Sequence, residues 1–212
     1  MDIYPQVLPA KPGDAGLISR ILIRSFKAGC AIDHRNSPLL VDAWKRRHSV
    51  EQILAWLADT TVRMEVAWLQ GKPVGVGMVR DSGEISLCYV LPEFFRRRVG
   101  GSLMHSLERR LADFGRARAV LYSTMTGHGF YQHLGYRENG QALRVASVAL
   151  RPMHKPISVG GGRAVGQAGD AGHQGSDGSD SSDSSDGSHD SRGYHGNHGV
   201  LGQRKAGSSA RP

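Results

Sequence analysis

Residues 89–107 read YVLPEFFRRRVGGSLMHSL, and this stretch decides the fold. An apolar strand breaks at Pro92, and the chain resumes as a helix after a short loop of arginines and glycines. Such a loop brings backbone N–H groups, the positive end of a helix dipole and cationic side chains to one point. Because these groups together bind phosphate, the stretch predicts a pyrophosphate site at a strand–loop–helix junction.

The sequence around this junction predicts an α/β domain. Asp14 is placed to cap the first helix, Ser49 and Gln52 form an S-x-x-Q capping box, and residues 31–40 are predicted as a loop. Apolar periodicity predicts helices at residues 15–27, 41–47, from 49 onward, 101–114 and 129–134. It predicts strands at residues 3–8, 64–69, 74–79, 85–90, 119–122 and 142–150. This order favours a sheet that is antiparallel at first and parallel where strands bracket the long helix.

Composition divides the 212 residues into two parts. Residues 157–212 consist mainly of Gly, Ser, Asp and His, and they are predicted to be a disordered tail, since they cannot bury enough apolar surface to offset the entropy of ordering. Residues 1–156 have the length of one globular domain. The net charge is +8, and the tail contributes −1 from six Asp against five Arg and Lys, which leaves +9 on the domain. This charge predicts an anionic partner, either a nucleic acid or a phosphorylated cofactor.

The cysteines and the N-terminus point to a soluble, cytoplasmic protein without a metal site. Cys30 and Cys88 lie far apart without metal-ligand spacing, and Cys88 is predicted to be a buried free thiol within a strand. The histidines of the tail have no regular spacing. The N-terminus lacks the basic start and apolar run of a signal peptide, and no segment has the apolar length of a membrane span.

The order of elements, the strand–loop–helix YVLPEFFRRRVGGSLM and the later FYQHLGY (residues 130–136) together resemble the GNAT superfamily of N-acetyltransferases. The resemblance covers residues 3–156. It implies a GNAT-type mixed central sheet flanked by helices, in which the fourth strand splays from its neighbour and admits the pantetheine of acetyl-CoA. Acetyl-CoA would then be the co-substrate, and a primary amine would attack its thioester directly, with no metal.

The resemblance also implies the residues that hold the cofactor. The family's pyrophosphate loop has the pattern Arg/Gln-x-x-Gly-x-Gly/Ala, whereas this chain has Phe95 and Arg98 at the first two motif positions and matches only at Gly100. A side chain at Arg98 would crowd the loop unless its φ stays negative. The arginines supply positive charge in compensation. The implied cofactor-binding residues are Tyr89, Val90, Leu91, Arg96, Arg97, Arg98, Val99, Gly100, Gly101 and Ser102.

The chemistry that the resemblance implies needs an acid, an oxyanion donor and a base. Tyr131 matches a family tyrosine that points toward the CoA sulfur, and a phenol with a pKa near ~10 can protonate the departing thiolate. The other interpretation of Tyr131 is a core residue. The backbone N–H of Val90 or Leu91 would hold the oxyanion. Glu84 is the candidate general base, and a solvated turn glutamate is the alternative.

Other groups are interpreted as structural or solvent-exposed. Residues 44–48, WKRRH, are predicted to contact the CoA 3′-phosphate, another anion or solvent, because a cationic amine would be repelled there. Gly127, with Gly129, is expected to loosen the start of the short helix. Three further candidates for the base are each predicted to lie at the surface: Asp33, His34 and Glu51.

Three functions follow from these observations, and the first is favoured. It is an acetyl-CoA-dependent N-acetyltransferase acting on a small-molecule or peptide amine. The second is a catalytically weak or inactive CoA-binding regulatory module of the same fold, which the altered loop supports. The third, a nucleic-acid-binding protein, is disfavoured because Arg109 and Arg110 lie on an amphipathic helix without interleaved exposed aromatic residues. No membrane partner is expected, and a homodimer stays open.

Overall fold

The computed structural model describes residues 4–145 and 148–159. The helices are α1 (Ala15–Gly29), α2 (Ala31–His34), α3 (Pro38–Arg47), α4 (Val50–Ala58), α5 (Val99–Asp113) and α6 (His128–His133). The strands are β1 (Gln6–Pro9), β2 (Val62–Leu69), β3 (Lys72–Arg80), β4 (Ile85–Val90), β5 (Arg118–Ser123), β6 (Arg137–Glu138), β7 (Leu143–Val145) and β8 (Val148–Pro156). The predicted disordered tail lies outside the described residues from residue 160 onward, and Ile157 still donates its N–H to the Ala117 carbonyl (2.9 Å).

The strands form two antiparallel groups that meet at one point. Strands β1, β2, β3 and β4 pair in that order, whereas β8 lies between β5 and β6 and also pairs with β7. A parallel bridge joins Glu84, just before β4, to Val120 of β5, and the Val120 N–H donates to the Gly83 carbonyl (3.0 Å). This arrangement confirms the predicted mixed α/β fold with an antiparallel N-terminal part.

Two predicted elements were wrong because short-range signals were missed. Residues 31–40 are not a loop, since they contain α2 and the start of α3, which Ser37 caps by accepting a hydrogen bond from the Leu40 N–H (3.5 Å). The predicted final strand at residues 142–150 is instead two antiparallel strands, β7 and β8, with Val145 opposite Val148. Strand β8 continues to Pro156 because its residues Arg151 to Pro156 pair with β5.

The capping predictions had different outcomes. Ser49 Oγ accepts a hydrogen bond from the Gln52 N–H (3.3 Å), so α4 begins as predicted. The Asp14 side chain makes no capping bond to α1. It accepts a hydrogen bond from the Lys11 N–H (2.8 Å) and so closes the single 3-10 turn Pro12–Asp14 that precedes the helix.

The core has two layers, one on each face of the first group of strands. Helices α1 and α3 pack on one face, where Ile18, Leu22 and Trp44 are buried against β2 and β3. Helix α5 packs on the other face. It can lie close to β3 because Gly77 has no Cβ, which would otherwise come within 2.7 Å of Leu107. The two layers hold β4 between α1 and α5, beside the point where β5 diverges from it.

Candidate active site

A cavity of about 1260 Å³ opens between β4 and β5. Its lining comes from both strands, from α1 and α3 on one side, and from α5 and α6 on the other. Of the predicted site residues, the structure brings together on this lining Tyr89, Val90, Arg96, Arg98, Val99, Gly100, Gly101, Ser102 and Tyr131. Leu91, Arg97 and Glu84 are not among its described lining residues.

The loop before α5 adopts backbone conformations that usually require glycine. Arg96 and Arg98 have φ values of 58° and 64°. From the sequence, an arginine at position 98 was expected to fit the loop only with a negative φ, and the observed φ is positive. Arg98 is the residue immediately before α5, and its guanidinium carbon lies 5.6 Å from the centroid of the Tyr4 ring. The loop therefore turns as a glycine-rich loop does while carrying exposed guanidinium groups at the N-terminus of a 15-residue helix.

The two glycines at the start of α5 serve different purposes. A Cβ at Gly100 would lie 3.0 Å from the Phe130 ring of α6, so this glycine makes room for the packing of α6 on α5. A Cβ at Gly101 would meet no atom within 4 Å, and Gly101 lines the cavity. Space, free N–H groups of a helix N-terminus and positive charge thus coincide at Gly101, which fits a phosphate group.

Tyr131 lies on α6 between this loop and the end of β5. Its ring packs over Gly127, where a Cβ would come within 3.0 Å of Tyr131 Cε2. Gly127 was expected to loosen the helix start, and it instead provides the space that positions the tyrosine. Burial, and to a lesser extent Cys88 and Cys30, raise the pKa of Tyr131 well above its ordinary value. The phenol is therefore protonated at neutral pH.

The two cysteines lie on the cavity lining as neutral thiols. Cys30 and Cys88 are free and half-buried, so Cys88 is less enclosed than predicted. Burial raises the pKa of each thiol to about 12, and the charge of Asp33 adds to the effect at Cys30. Since the thiolate is the nucleophilic form, neither residue is activated as a nucleophile.

The backbone N–H groups of Val90 and Leu91 point in opposite directions. The Leu91 N–H donates to the Val74 carbonyl of β3 (2.9 Å). Because N–H groups alternate between the two edges of a strand, that of Val90 points away from β3 and toward the gap with β5. Of the two predicted oxyanion donors, only Val90 has the required direction.

Glu84 lies far from the other predicted groups. Its carboxylate accepts a hydrogen bond from Ser86 Oγ (2.9 Å), and Ser86, not Glu84, lines the cavity. Six residues of strand separate Glu84 from Val90, which corresponds to roughly 20 Å. Glu84 therefore does not touch a group bound at Val90.

Two of the three residues predicted at the surface are buried. Asp33 and His34 are 8% and 1% exposed, whereas Glu51 is exposed as predicted. His34 Nδ1 accepts a hydrogen bond from the Asn36 N–H (3.1 Å), so Nε2 carries the proton and donates to the Phe26 carbonyl (3.1 Å). Sequence reasoning missed both residues because α2 was not predicted.

Residues 44–48 do not form a continuous basic surface. Trp44 and His48 are buried, and their rings stack with centroids 3.8 Å apart. Between them, Lys45 and Arg46 are exposed and Arg47 is half-buried. The Trp44 ring also stacks on Phe26 at 4.3 Å and is 5.2 Å from Tyr89. Trp44 is therefore part of the aromatic wall of the cavity, and His48 packs behind it at the i, i+4 spacing that the sequence shows.

Strands β4 and β5 diverge beyond the bridge at Glu84, and the start of α5 and the half-buried Tyr131 line the gap between them. A model of the acetyltransferase (GNAT) domain matches residues 31–157. The chain belongs to the GNAT acetyltransferase family, as its sequence predicted. No curated protein matches it by sequence.

Solved structures of the same fold include three N-acetyltransferases. The GCN5-related N-acetyltransferase (aminotransferase, class II) from Rhodopseudomonas palustris is 24% identical, with a TM-score of 0.64 over 73% of this chain and 96% of that one. PaiA N-acetyltransferase from Thermoplasma acidophilum, solved with coenzyme A, is 16% identical, with a TM-score of 0.62 over 74% and 100%. The ribosomal-protein-S18-alanine N-acetyltransferase from Escherichia coli is 16% identical, with a TM-score of 0.53 over 75% and 97%.

Two further properties concern the described part of the chain alone. Within residues 4–145 and 148–159, no three His, Cys, Asp or Glu side chains come together as metal ligands would. None of the helices in that part is long and apolar enough to cross a bilayer.

Proposed function

We propose that this protein transfers the acetyl group of acetyl-CoA to a primary amine. The observation that carries the proposal is the cavity between β4 and β5, which has the start of α5 on its lining together with Tyr131. The pyrophosphate would lie at the N-terminus of α5, against Gly101, with Arg96 and Arg98 nearby. Coenzyme A in the PaiA structure from T. acidophilum supports this choice of ligand.

Direct attack accounts for the groups present. The neutral amine forms a bond to the thioester carbon, and the Val90 N–H donates a hydrogen bond to the oxygen that becomes an oxyanion. The carbon–sulfur bond then breaks, and Tyr131 gives its proton to the departing thiolate. The attacking nitrogen loses its extra proton to water, and a proton from water restores the Tyr131 phenol. Holding both substrates on one sheet supplies much of the acceleration by proximity.

The proton of the acceptor ammonium leaves before attack. Glu84 stays a candidate base only through Ser86 and intervening water, because the carboxylate does not line the cavity. Replacing Glu84 by Gln distinguishes this route from release to bulk water. If Glu84 is the base, the Glu84→Gln variant will have a lower kcat than the wild type at neutral pH. If the proton is released to water, the two will have the same kcat.

The alternative function is a CoA-binding regulatory module that has lost turnover. It is supported by Phe95 and Arg98, which stand where the family motif has Arg or Gln and Gly. Both functions require the cofactor to bind. They differ in whether amines are acetylated and in whether Tyr131 matters for a rate.

The Tyr131→Phe variant tests the catalytic function. Titration calorimetry should give the same acetyl-CoA affinity for the variant and the wild type, while kcat falls by about 10²-fold or more, since a positioned acid contributes ~10²–10⁴ in rate. The matched control is Tyr136→Phe, because the Tyr136 hydroxyl donates to Glu108 (3.0 Å) and the residue does not line the cavity. Equal kcat in the Tyr131 variant and the wild type would remove the acid from the mechanism, and binding of acetyl-CoA without any amine acetylation would favour the regulatory module.

A further inference from the structure

A buried carboxylate beside the cavity has one oxygen without a partner. Asp33 Oδ1 accepts a hydrogen bond from the Thr126 N–H (3.3 Å). Asp33 Oδ2 is buried and has no hydrogen-bond partner in the described part of the chain. Burying an ionised carboxylate is costly unless it is paired with a cation. Buried polar atoms in folded proteins nearly always have a hydrogen-bond partner, and a bound ligand could be the partner of Oδ2.

No residue in the described part of the chain forms an ion pair with Asp33. None of the ion pairs within residues 4–145 and 148–159 includes it. The adjacent His34 is neutral, because one ring nitrogen accepts a hydrogen bond from the Asn36 N–H and the other donates to the Phe26 carbonyl. No described residue therefore balances the charge of an ionised Asp33.

Asp33 lies directly behind the cavity wall. Its backbone N–H donates to the Cys30 carbonyl (3.0 Å), and its carboxylate binds the backbone of Thr126. Both Cys30 and Thr126 line the cavity. The charge of Asp33 also contributes, after burial, to the raised pKa of Cys30 and of Tyr89, which places the carboxylate within electrostatic reach of both side chains. Cys30 and Thr126 therefore separate the buried Oδ2 from the cavity.

The cavity wall on this side is apolar and aromatic. It is formed by side chains of α1, α3 and β8, namely Phe26, Leu40, Trp44, Val148 and Leu150. The cationic lining residues, Arg96 and Arg98, lie on the loop before α5, as the phosphates of a cofactor would require. The side of the cavity next to Asp33 thus combines one buried negative charge with apolar surface.

We propose that Asp33 binds the ammonium group of the acceptor, and that the acceptor is a primary amine carried on an apolar, aromatic body. This inference rests on the proposed function, because it names the substrate class of the same site. Asp33 binds the acceptor through Oδ2, while the hydrogen bond of Oδ1 to Thr126 fixes its position next to the turn that leads to Tyr131. A polycation such as a polyamine fits less well, since the apolar wall gives its other charges no partner.

Binding of 2-phenylethylamine to the protein saturated with desulfo-CoA tests the inference without relying on turnover. The Asp33→Asn variant should bind the amine about 10- to 100-fold more weakly, as expected for the loss of a hydrogen bond between charged groups, with its desulfo-CoA affinity unchanged. Asparagine keeps the acceptor for the Thr126 N–H. The matched control is Asp42→Asn, which removes an exposed carboxylate paired with Lys45 on α3 and should leave amine binding unchanged.

A comparison within the wild type keeps the test independent of variant folding. The uncharged analogue 2-phenylethanol should bind at least about tenfold more weakly than the amine. Equal binding of the two compounds, unchanged amine affinity in Asp33→Asn, or tighter binding of spermidine than of 2-phenylethylamine would overturn the inference and leave the proposed function intact. Failure of desulfo-CoA itself to bind would overturn both.

Discussion

At the scale of single residues, the phosphate loop keeps its shape without its glycine. Arg96 and Arg98 both have left-handed backbone conformations, which cost a non-glycine residue about 1–2 kcal/mol each. The same conformations leave both side chains exposed around the mouth of the cavity. Arginine at the family's glycine position therefore adds local strain and places positive charge at the N-terminus of α5.

His48 makes the stability of the fold depend on pH. Its ring is fully buried, Nδ1 donates to the Trp44 carbonyl (2.8 Å), and Nε2 has no partner among the described residues. Burial is the main cause that lowers its pKa from 6.5 to about 4, and Arg47 lowers it further, against a smaller opposing effect of the Trp44 carbonyl. Between these two values the unfolded state binds more protons than the folded state, so folding stability decreases as pH falls from 6.5 toward 4.

We expect His48→Gln to flatten this pH dependence. The largest loss attributable to the histidine is about 3 kcal/mol, from a pKa difference of about 2.5 units. Urea unfolding at pH 7 and pH 4.5 measures it, and the exposed His105→Gln variant is the control. Parallel pH profiles for the two variants would show that His48 does not titrate in this window.

At the scale of elements, the contact between α5 and β3 depends on small residues. A Cβ at Gly77 would come within 2.7 Å of Leu107, and one at Gly75 within 3.0 Å of Leu103 and of the Tyr89 carbonyl. These glycines were not recognised in the sequence, where they interrupt an otherwise regular strand. They let α5 lie close to the sheet, and α5 in turn positions the loop that precedes it.

The Gly77→Ala variant should lose about 1–3 kcal/mol of unfolding free energy, the usual cost of overpacking a core. Guanidinium unfolding measures the loss. Gly13→Ala is the control, because a Cβ there meets no atom within 4 Å, and we expect that variant to stay within about 1 kcal/mol of the wild type. A Gly77 variant as stable as the control would mean that α5 moves away from the sheet at little cost.

The start of α5 allows stability and cofactor binding to be separated. Gly101→Ala should stabilise the free protein by about 0.4–1 kcal/mol, because alanine favours the helix and the Cβ position is open. If a phosphate occupies that space, acetyl-CoA affinity should fall roughly tenfold, which is the loss of about one hydrogen bond. Titration calorimetry measures the affinity.

The matched control for this substitution is Gly129→Ala on α6. Its Cβ position is also open, and Gly129 is not among the residues that line the cavity. It should gain stability without losing affinity. Unchanged affinity in both variants would place the pyrophosphate away from Gly101.

At the scale of the whole molecule, the functional cavity follows from the incomplete joining of two groups of strands. Strands β4 and β5 meet at the bridge between Glu84 and Val120, and the cavity lies beyond it. A ligand in this gap replaces the backbone pairing that two adjacent strands would otherwise make. The positive charge of +9 on residues 1–156 matches an anionic ligand of this kind, although charge alone would equally have fitted a nucleic acid.

The sequence by itself determined the family, most elements and the residues around the start of α5. Periodicity and turn residues act over a few positions, so the strand–loop–helix at residues 89–107 could be identified without tertiary information. The same local reasoning failed at residues 31–40, where Ser37 and Pro38 were not recognised as the start of α3. It also merged β7 and β8, which pair with each other as antiparallel strands with Val145 opposite Val148.

Only the tertiary structure decided what surrounds the reacting atoms. Asp33 and Thr126 are 93 residues apart, and nothing in the sequence of either indicates that a hydrogen bond joins them. The direction of the Val90 N–H, the distance of Glu84 from it and the room that Gly127 leaves for Tyr131 likewise depend on packing between distant elements. Local sequence fixes backbone conformation over one or two turns, whereas a site is assembled from groups whose distances are set by the burial of the whole core.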